Sequence, residues 1–315
     1  MENQKMEVFD YFVNLNKPQS NQRFANAIGK ENVLFLVNST QDEFALHPGH
    51  FSFKSTFQGR EHFEFDNHRV AVSPQHYLLL NEGQEYASYI NSDENVETFT
   101  IFFSPEFVTN TLKSRLRPDD ALLNDGHQKE TPLFINFFEK LYHITPYIYQ
   151  LIQHIRLCLK EGNAHSMALE EYLYMLLHEL LKEHRMVKST IEQLSAVRYS
   201  TRLETYRRVS RAKDYLLSCY DEPLSIDKLA SVACLAPFHF LRTFKQIFNI
   251  TPHQMLTKVR LQHAQSLLVH TNYPVSQISL KVGYDNLSSF SRLFTTQFGM
   301  SPRKFRKQKA TSLSA

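Results

Sequence analysis

The chain has 315 residues, 42% hydrophobic and 21% charged, with 25 Phe, 15 Tyr and no Trp. That balance excludes a disordered, collagen-like or low-complexity chain and supplies apolar material for two cores. The net charge of +3 conceals an asymmetry: residues 1–200 carry 18 Lys and Arg against 26 Asp and Glu, whereas residues 201–315 carry 17 against 6. An acidic module of −8 therefore precedes a basic one of +11.

A basic third points to a polyanion as partner, with a merely solvated face as the alternative. No apolar run approaches the roughly 18–20 residues that cross a bilayer, so no membrane partner is expected. The polar N-terminus lacks the apolar region of a signal peptide. Three cysteines, Cys158, Cys219 and Cys234, form no Cys-x-x-Cys pair. They fit reduced thiols in a cytoplasmic protein.

Residues 33–37, 51–57, 62–65, 69–72, 77–80 and 98–103 are rich in aromatic and β-branched side chains. Turn residues at Pro48-Gly49, Gln58-Gly59, Asp66-Asn67, Ser73-Pro74 and Asn81 to Gly83 separate them. The pattern predicts six or more short strands in a sandwich or small barrel. Ser104-Pro105-Glu106 starts a helix with a capping hydroxyl, a proline and an acid. A polar loop follows around 117–129, then helices over 133–141, 146–160 and 166–185. In the last, Leu169, Tyr172, Leu173, Leu176, Leu177, Leu180 and Leu181 recur three and four apart. They form a core-facing stripe, with a seam against a twin helix as the alternative. Residues 186–204 lack such a stripe and are expected to link a domain of 1–185 to one of 205–309.

The basic module repeats itself. Phe240, Arg242, Phe244, Phe248, Thr251 and Pro252 recur fifty residues later as Phe290, Arg292, Phe294, Phe298, Ser301 and Pro302. Upstream the offset is 49, pairing Leu229-Ala230 with Ile278-Ser279 and Cys234 with Gly283. Two copies of a helix-turn-helix are predicted, with Ser225 capping the first unit and Asp285 or Asn286 the second reading helix. A helix from Pro252 to about His270 joins them and spans about 27 Å at 1.5 Å per residue. With the phenylalanines inward, Phe238, His239, Leu241, Arg242 and Lys245 lie on or near the outer surface of one helix, and Leu287, Ser288, Ser291 and Arg292 lie outside on the other. Arg242 and Arg292 can each grip guanine O6 and N7 or a phosphate, Ser288 and Ser291 can bond bases or phosphates, and Phe238 and Leu287 can meet thymine methyls. Each alone is an ordinary exposed helix position. As a repeated set on a basic module they favour double-stranded DNA.

These residues, with Leu224 to Ala230, Arg260 to Ala264, Leu267-Leu268 and Gly283-Tyr284-Asp285, closely resemble the double helix-turn-helix domain of the AraC/XylS family of bacterial transcription regulators, over about 205–308. Four positions depart from the family pattern. Cys234 stands where Gly is usual, Ala236 where Ser commonly caps the first reading helix, Ser279 for Ala and Thr295 for Lys. The resemblance implies an activator with RNA polymerase as a further partner, and a structural role for Arg260. Gly59, Pro74 and Tyr77 to Gly83 resemble the cupin-like effector barrel of many members. This implies a small-molecule effector, a homodimer through the N-terminal half, or both. The expected fold class is thus α+β in two domains: a small barrel followed by helices, then an all-α double helix-turn-helix.

His47, His50, His62, His68 and His76 crowd the β half, which raises a metal-dependent cupin enzyme fused to a basic module as the alternative. His47 and His50 flank a Pro-Gly turn rather than sharing a strand face, and no completing set accompanies His62 and Glu64. His178 to Lys182 lacks the second histidine of a zincin motif, and phosphate loops and Gly-x-Ser-x-Gly are missing. No catalytic residue, metal or cofactor is expected.

Overall fold

The computed structural model describes residues 7–11, 27–66, 68–116, 135–161 and 167–313, which fall into two compact units, 1–193 and 194–315. The first unit holds β1 (Glu7–Tyr11), β2 (Val33–Pro48), β3 (Ser52–Gln58), β4 (Glu61–Phe65), β5 (His68–Val72), β6 (His76–Leu80), β7 (Glu85–Phe102) and β8 (Leu141–His143). Its helices are α1 (Pro105–Leu116), α2 (Pro146–Lys160) and α3 (Met167–Glu192). Strand order is β1-β2-β7-β3-β6-β8, with β4 pairing β5 and β7. One flank of β7 is shared: β3 pairs with 97–102 and β4 with 87–89, while β2 runs along the other flank. The sheet consequently curls about the inward face of β7 into a nearly closed barrel. This is the α+β class expected, with helices after the barrel.

A register shift sets what the barrel encloses. Val37 pairs with Thr98, but beyond Ser39 and Gln41 the pairing slips, and Asp42 meets Ile90 and Phe44 meets Ser88. The slip is odd, so odd residues of β2 (Phe35, Val37) and then even ones (Asp42, Phe44) face the same interior as Tyr86, Ser88, Ile90, Thr98, Thr100 and Phe102 of β7.

The helices show the capping chemistry their sequences carry. Ser104 Oγ accepts from the Phe107 amide at 3.2 Å, and Thr145 Oγ1 from Ile148 at 3.2 Å. Ile148, Leu151, Ile152, Ile155 and Leu159 of α2 are buried, and α2 packs on α3. The predicted leucine stripe is core: Leu169, Leu173, Leu176, Leu177, Leu180 and Leu181 are buried, and Tyr172 stacks on His154. Arg156 of α2 pairs with Glu97 of β7 beneath the Phe57 ring, tying helix to barrel.

Two expectations are corrected. Residues 135–141 do not form a helix. Asn81 donates to the Phe137 carbonyl at 3.0 Å and accepts from its amide at 2.8 Å, and Phe137 stacks on Phe51, so the segment is held in a non-helical course that leads into β8. The stretch expected as linker is helical at both ends. Val187 and Ile191 are buried and carry α3 to Glu192, and the next helix begins at Tyr199. The expected loop over 117–129, and the expected element starts at Leu133 and Ser166, lie outside the described residues, as does Asn67.

His184 of α3 lies between Phe137 and Phe138, with ring centroids at 5.1 and 5.3 Å. Burial, assisted by the Lys188 charge, lowers its pKa to about 4. An unfolded imidazole binds a proton near its ordinary value of about 6.5, and the folded one only below about 4. The contribution to stability is therefore complete above about pH 6.5 and lost as pH falls from there toward 4. Urea midpoints at pH 7.5 and 5 should differ more in the wild type than in His184→Leu.

Candidate functional site

The second unit contains α4 (Tyr199–Ser218), α5 (Ile226–Val232), α6 (Pro237–Phe248), α7 (Pro252–His270), α8 (Val275–Lys281), α9 (Leu287–Phe298) and α10 (Pro302–Leu313). The sequence repeat is a structural one. Ser225 Oγ accepts from the Lys228 amide to start α5. After α5 the chain turns through Cys234 in the left-handed region, φ 49°, and after α8 through Gly283, φ 83°. Matching bonds close both turns, Leu235 N to Ala230 O at 3.0 Å and Tyr284 N to Ser279 O at 2.9 Å. Both second helices also end left-handed, at Asn249 and Gly299. Thr251 and Gln254 then form a reciprocal capping box at the start of α7.

The start of α9 is capped by Asn286, whose Oδ1 accepts from Ser289 at 2.9 Å. Ala236 supplies no such bond to α6, the local deficit its methyl side chain implies.

On the inner faces Phe240, Phe244, Phe290 and Phe294 are fully buried. Phe248 and Phe298 are half-buried. Leu261, Ala264, Leu268, Ile278, Val282 and Phe305 complete the second core with Phe290 and Phe294. Removing a buried phenylalanine costs about 3–5 kcal/mol, so these faces are committed to packing. The opposite faces are exposed. Phe238 is 80% exposed and Leu287 42%, both high for apolar side chains. His239, Arg242, Lys245, Ser288 and Arg292 are exposed, while the equivalent positions Leu241 and Ser291 are half-buried at the flanks. Neither the Arg242 nor the Arg292 guanidinium has a hydrogen-bond or ion-pair partner among the described residues. The fold thus places seven of the nine sequence-predicted residues on two repeated outer faces and Leu241 and Ser291 at their flanks. Ser289, exposed beside Ser288, was not among them.

Arg260 behaves otherwise. Its Nε donates to Tyr220 O at 2.7 Å and its Nη2 to Glu222 O at 2.8 Å, and it lies over the Tyr284 ring. It fastens the turn between α4 and α5 to the connecting helix and to the second turn.

The barrel encloses a cavity of about 330 Å³, at the small end of ligand pockets. Lys54, Glu61 and Tyr86, all on its wall, were not singled out in the sequence. The available signal was a lysine in the middle of an aromatic strand, Phe53-Lys54-Ser55-Thr56-Phe57. Burial raises the Glu61 pKa to about 7, against the opposing pull of the Lys54 charge and a Ser88 hydrogen bond, with Asp42 adding to the rise.

The histidines of the β half go separate ways. His50 Nδ1 meets Glu82 at 2.8 Å, His62 stacks on Tyr89, His68 lies edge-on to Phe65 and His76 faces His143. Among the described residues no group of three or more His, Cys, Asp or Glu could hold a metal ion, and no helix is long and apolar enough to cross a membrane.

Two family models match. One, described as an AraC-like ligand binding domain, matches residues 37–177, and one described as a helix-turn-helix domain matches 229–308. The lactose operon transcription activator of Staphylococcus xylosus is 27% identical over 159 residues, half of this chain and 53% of that protein. The probable transcriptional regulator LumQ of Photobacterium leiognathi is 33% identical over 145 residues, 42% of this chain and 58% of that protein. The chain spans little more than half the length of these relatives. Among solved structures, the C-terminal domain of AraT, a response regulator from Geobacillus stearothermophilus, is 31% identical, covering 32% of this chain and 84% of that one, with a TM-score of 0.31. Neither matched family supports the metal-dependent barrel enzyme. With an AraC-like ligand binding domain over its barrel and a helix-turn-helix domain over its repeat, the chain belongs to the AraC/XylS family of transcription regulators.

Proposed function

We propose that the chain is a sequence-specific DNA-binding transcription activator that inserts α6 and α9 into adjacent major-groove segments. The observation that carries this is the repeated pair of unpartnered arginines, Arg242 and Arg292, on the outer faces of a module of net charge +11. Each guanidinium can make a two-pronged contact with guanine, and the surrounding Lys245, His239, Ser288 and Ser291 can fix the register on phosphates. Phe238, Leu241 and Leu287 supply the apolar contacts that read thymine methyls. The barrel would bind a small effector, assemble a homodimer, or both, and RNA polymerase would be the further partner of the DNA-bound protein. An effector shifts the readers only through different affinities for two states.

Selection of bound duplexes from a random pool tests the reading directly. Enrichment of two short blocks about one helical turn apart is expected. Affinity for the selected duplex should fall steeply as salt rises, because phosphate contacts release counterions. A pool without enrichment, or a single enriched block, would contradict two-helix reading.

A further inference from the structure

Lys54 is a barrel residue whose burial the fold does not account for. It sits in the middle of β3 with 6% of its surface exposed, on the cavity wall. Its Nζ donates to the Tyr86 hydroxyl at 3.2 Å and lies 4.3 Å from the Phe102 ring centroid and 5.1 Å from that of Tyr86. No carboxylate of a described residue comes within 4.0 Å of it. An ammonium has three protons to donate, and a buried cation is costly unless it is paired and hydrogen-bonded. One phenol and two ring faces leave it short of both.

The other charged and titratable groups on the wall are Asp42 and His47 of β2, His50 in the β2–β3 turn, Glu61 of β4 and Tyr86 of β7. Two are already engaged: His50 with Glu82, and His47 with the Ala45 carbonyl while its ring lies 4.5 Å from that of Tyr86. Glu61 feels the Lys54 charge without pairing with it. The rest of the wall is largely carbon, from Phe35, Val37, Phe44, Ile90 and Phe102.

We propose that this cavity binds a small amphiphilic carboxylate, its acid group held by Lys54 and the Tyr86 hydroxyl and its body by the aliphatic and aromatic wall. The inference rests on the reading of the barrel as an effector domain. A cationic ligand would meet Lys54, and a neutral polyol would leave that charge unpaired. Glu61 decides the pH dependence. With its pKa already raised to about 7 by burial, an incoming carboxylate favours its protonated form, which can donate a hydrogen bond to the ligand. Binding then takes up a proton, and affinity falls as pH rises through and beyond 7. Asp42 opposes any anion in the same cavity, which makes the Lys54 contact the more decisive.

The test uses the full chain and calorimetry with benzoate, phenylacetate, hexanoate and octanoate, each beside its primary amide, at pH 6 and 8. At least one acid should bind, at least tenfold tighter than its amide and tighter at pH 6. Lys54→Met should lose at least tenfold in affinity for the acid. Tyr86→Phe, which removes only a hydroxyl, should lose about threefold or more while keeping the wild-type circular dichroism. Glu61→Gln should keep acid binding and lose its pH dependence.

Amides that bind as well as acids would overturn the proposal. So would unchanged acid affinity in both Lys54→Met and Tyr86→Phe, or abolition of binding by Glu61→Gln. Failure of every acid would overturn it too. In that case a neutral sugar such as glucose that binds would leave the effector reading standing, whereas silence from both sets would remove both.

Discussion

Arg292→Ala is expected to weaken binding to the selected duplex by about 1–3 kcal/mol, roughly 5- to 150-fold, and to relax base preference at one step only. The size follows from a charge-assisted, two-pronged bond to guanine, which alanine cannot replace. The specificity of the effect follows from the fold. Arg292 is exposed on the face of α9 opposite the buried Phe290 and Phe294, so its removal leaves the second core intact. Arg242→Ala should do the same one helical turn away, and the double variant should lose nearly the sum, because separated contacts are close to additive. Lys245→Ala provides the contrast: a phosphate contact weakens all sequences alike and lowers the salt slope by about one. Mobility-shift titrations over a salt series read all four. Unchanged affinity and base preference in Arg292→Ala would remove it from the interface.

Much of the second unit was legible because its information is local. The spacing of Phe240, Phe244, Phe290 and Phe294 fixes which helix faces are buried, and Ser225, Thr251 and Asn286 mark helix starts. The 49- and 50-residue offsets identify equivalent turns before any coordinates are known. In the barrel, the short aromatic strands β3 to β6 could be read in the same way.

The outer halves of β2 and β7 could not. Residues 38–48 and 85–97 are mostly polar, and in β2 the slip near Ser39 and Gln41 reverses which alternate residues face inward, so no single alternation runs through that strand. The helix expected over 133–141 is not formed in its described part, 135–141, for a non-local reason. Asn81, far away in sequence, satisfies both backbone groups of Phe137 and removes the helix's claim on them. Lys54 was hidden for a third reason: whether a cation in a strand is buried and unpaired depends on which side chains the closed sheet brings over it.

Gly283→Ala should destabilise the second unit by about 2–4 kcal/mol, although the change is one methyl group. The left-handed backbone at φ 83° costs an L-residue about 1–2 kcal/mol. A Cβ there would also lie 2.8 Å from the Asp221 carbonyl oxygen and 2.8 Å from the Arg260 Nη2. Neither neighbour is free to yield, because Arg260 is held by the Tyr220 and Glu222 carbonyls, and each such bond lost adds about 1 kcal/mol or more. The equivalent turn answers oppositely. Cys234 has φ 49° and is exposed, so its side chain stands in solvent and only backbone strain remains. Cys234→Gly should therefore stabilise by about 1 kcal/mol. Urea unfolding followed by far-UV circular dichroism measures both changes. DNA affinity supplies the second readout: Gly283→Ala should lower it without touching a DNA-facing residue, because the turn that sets the entry of α9 is the one Arg260 braces. Equal and small effects at the two turns would mean that the brace does not discriminate between the copies, and that the glycine is required by its dihedral angle alone.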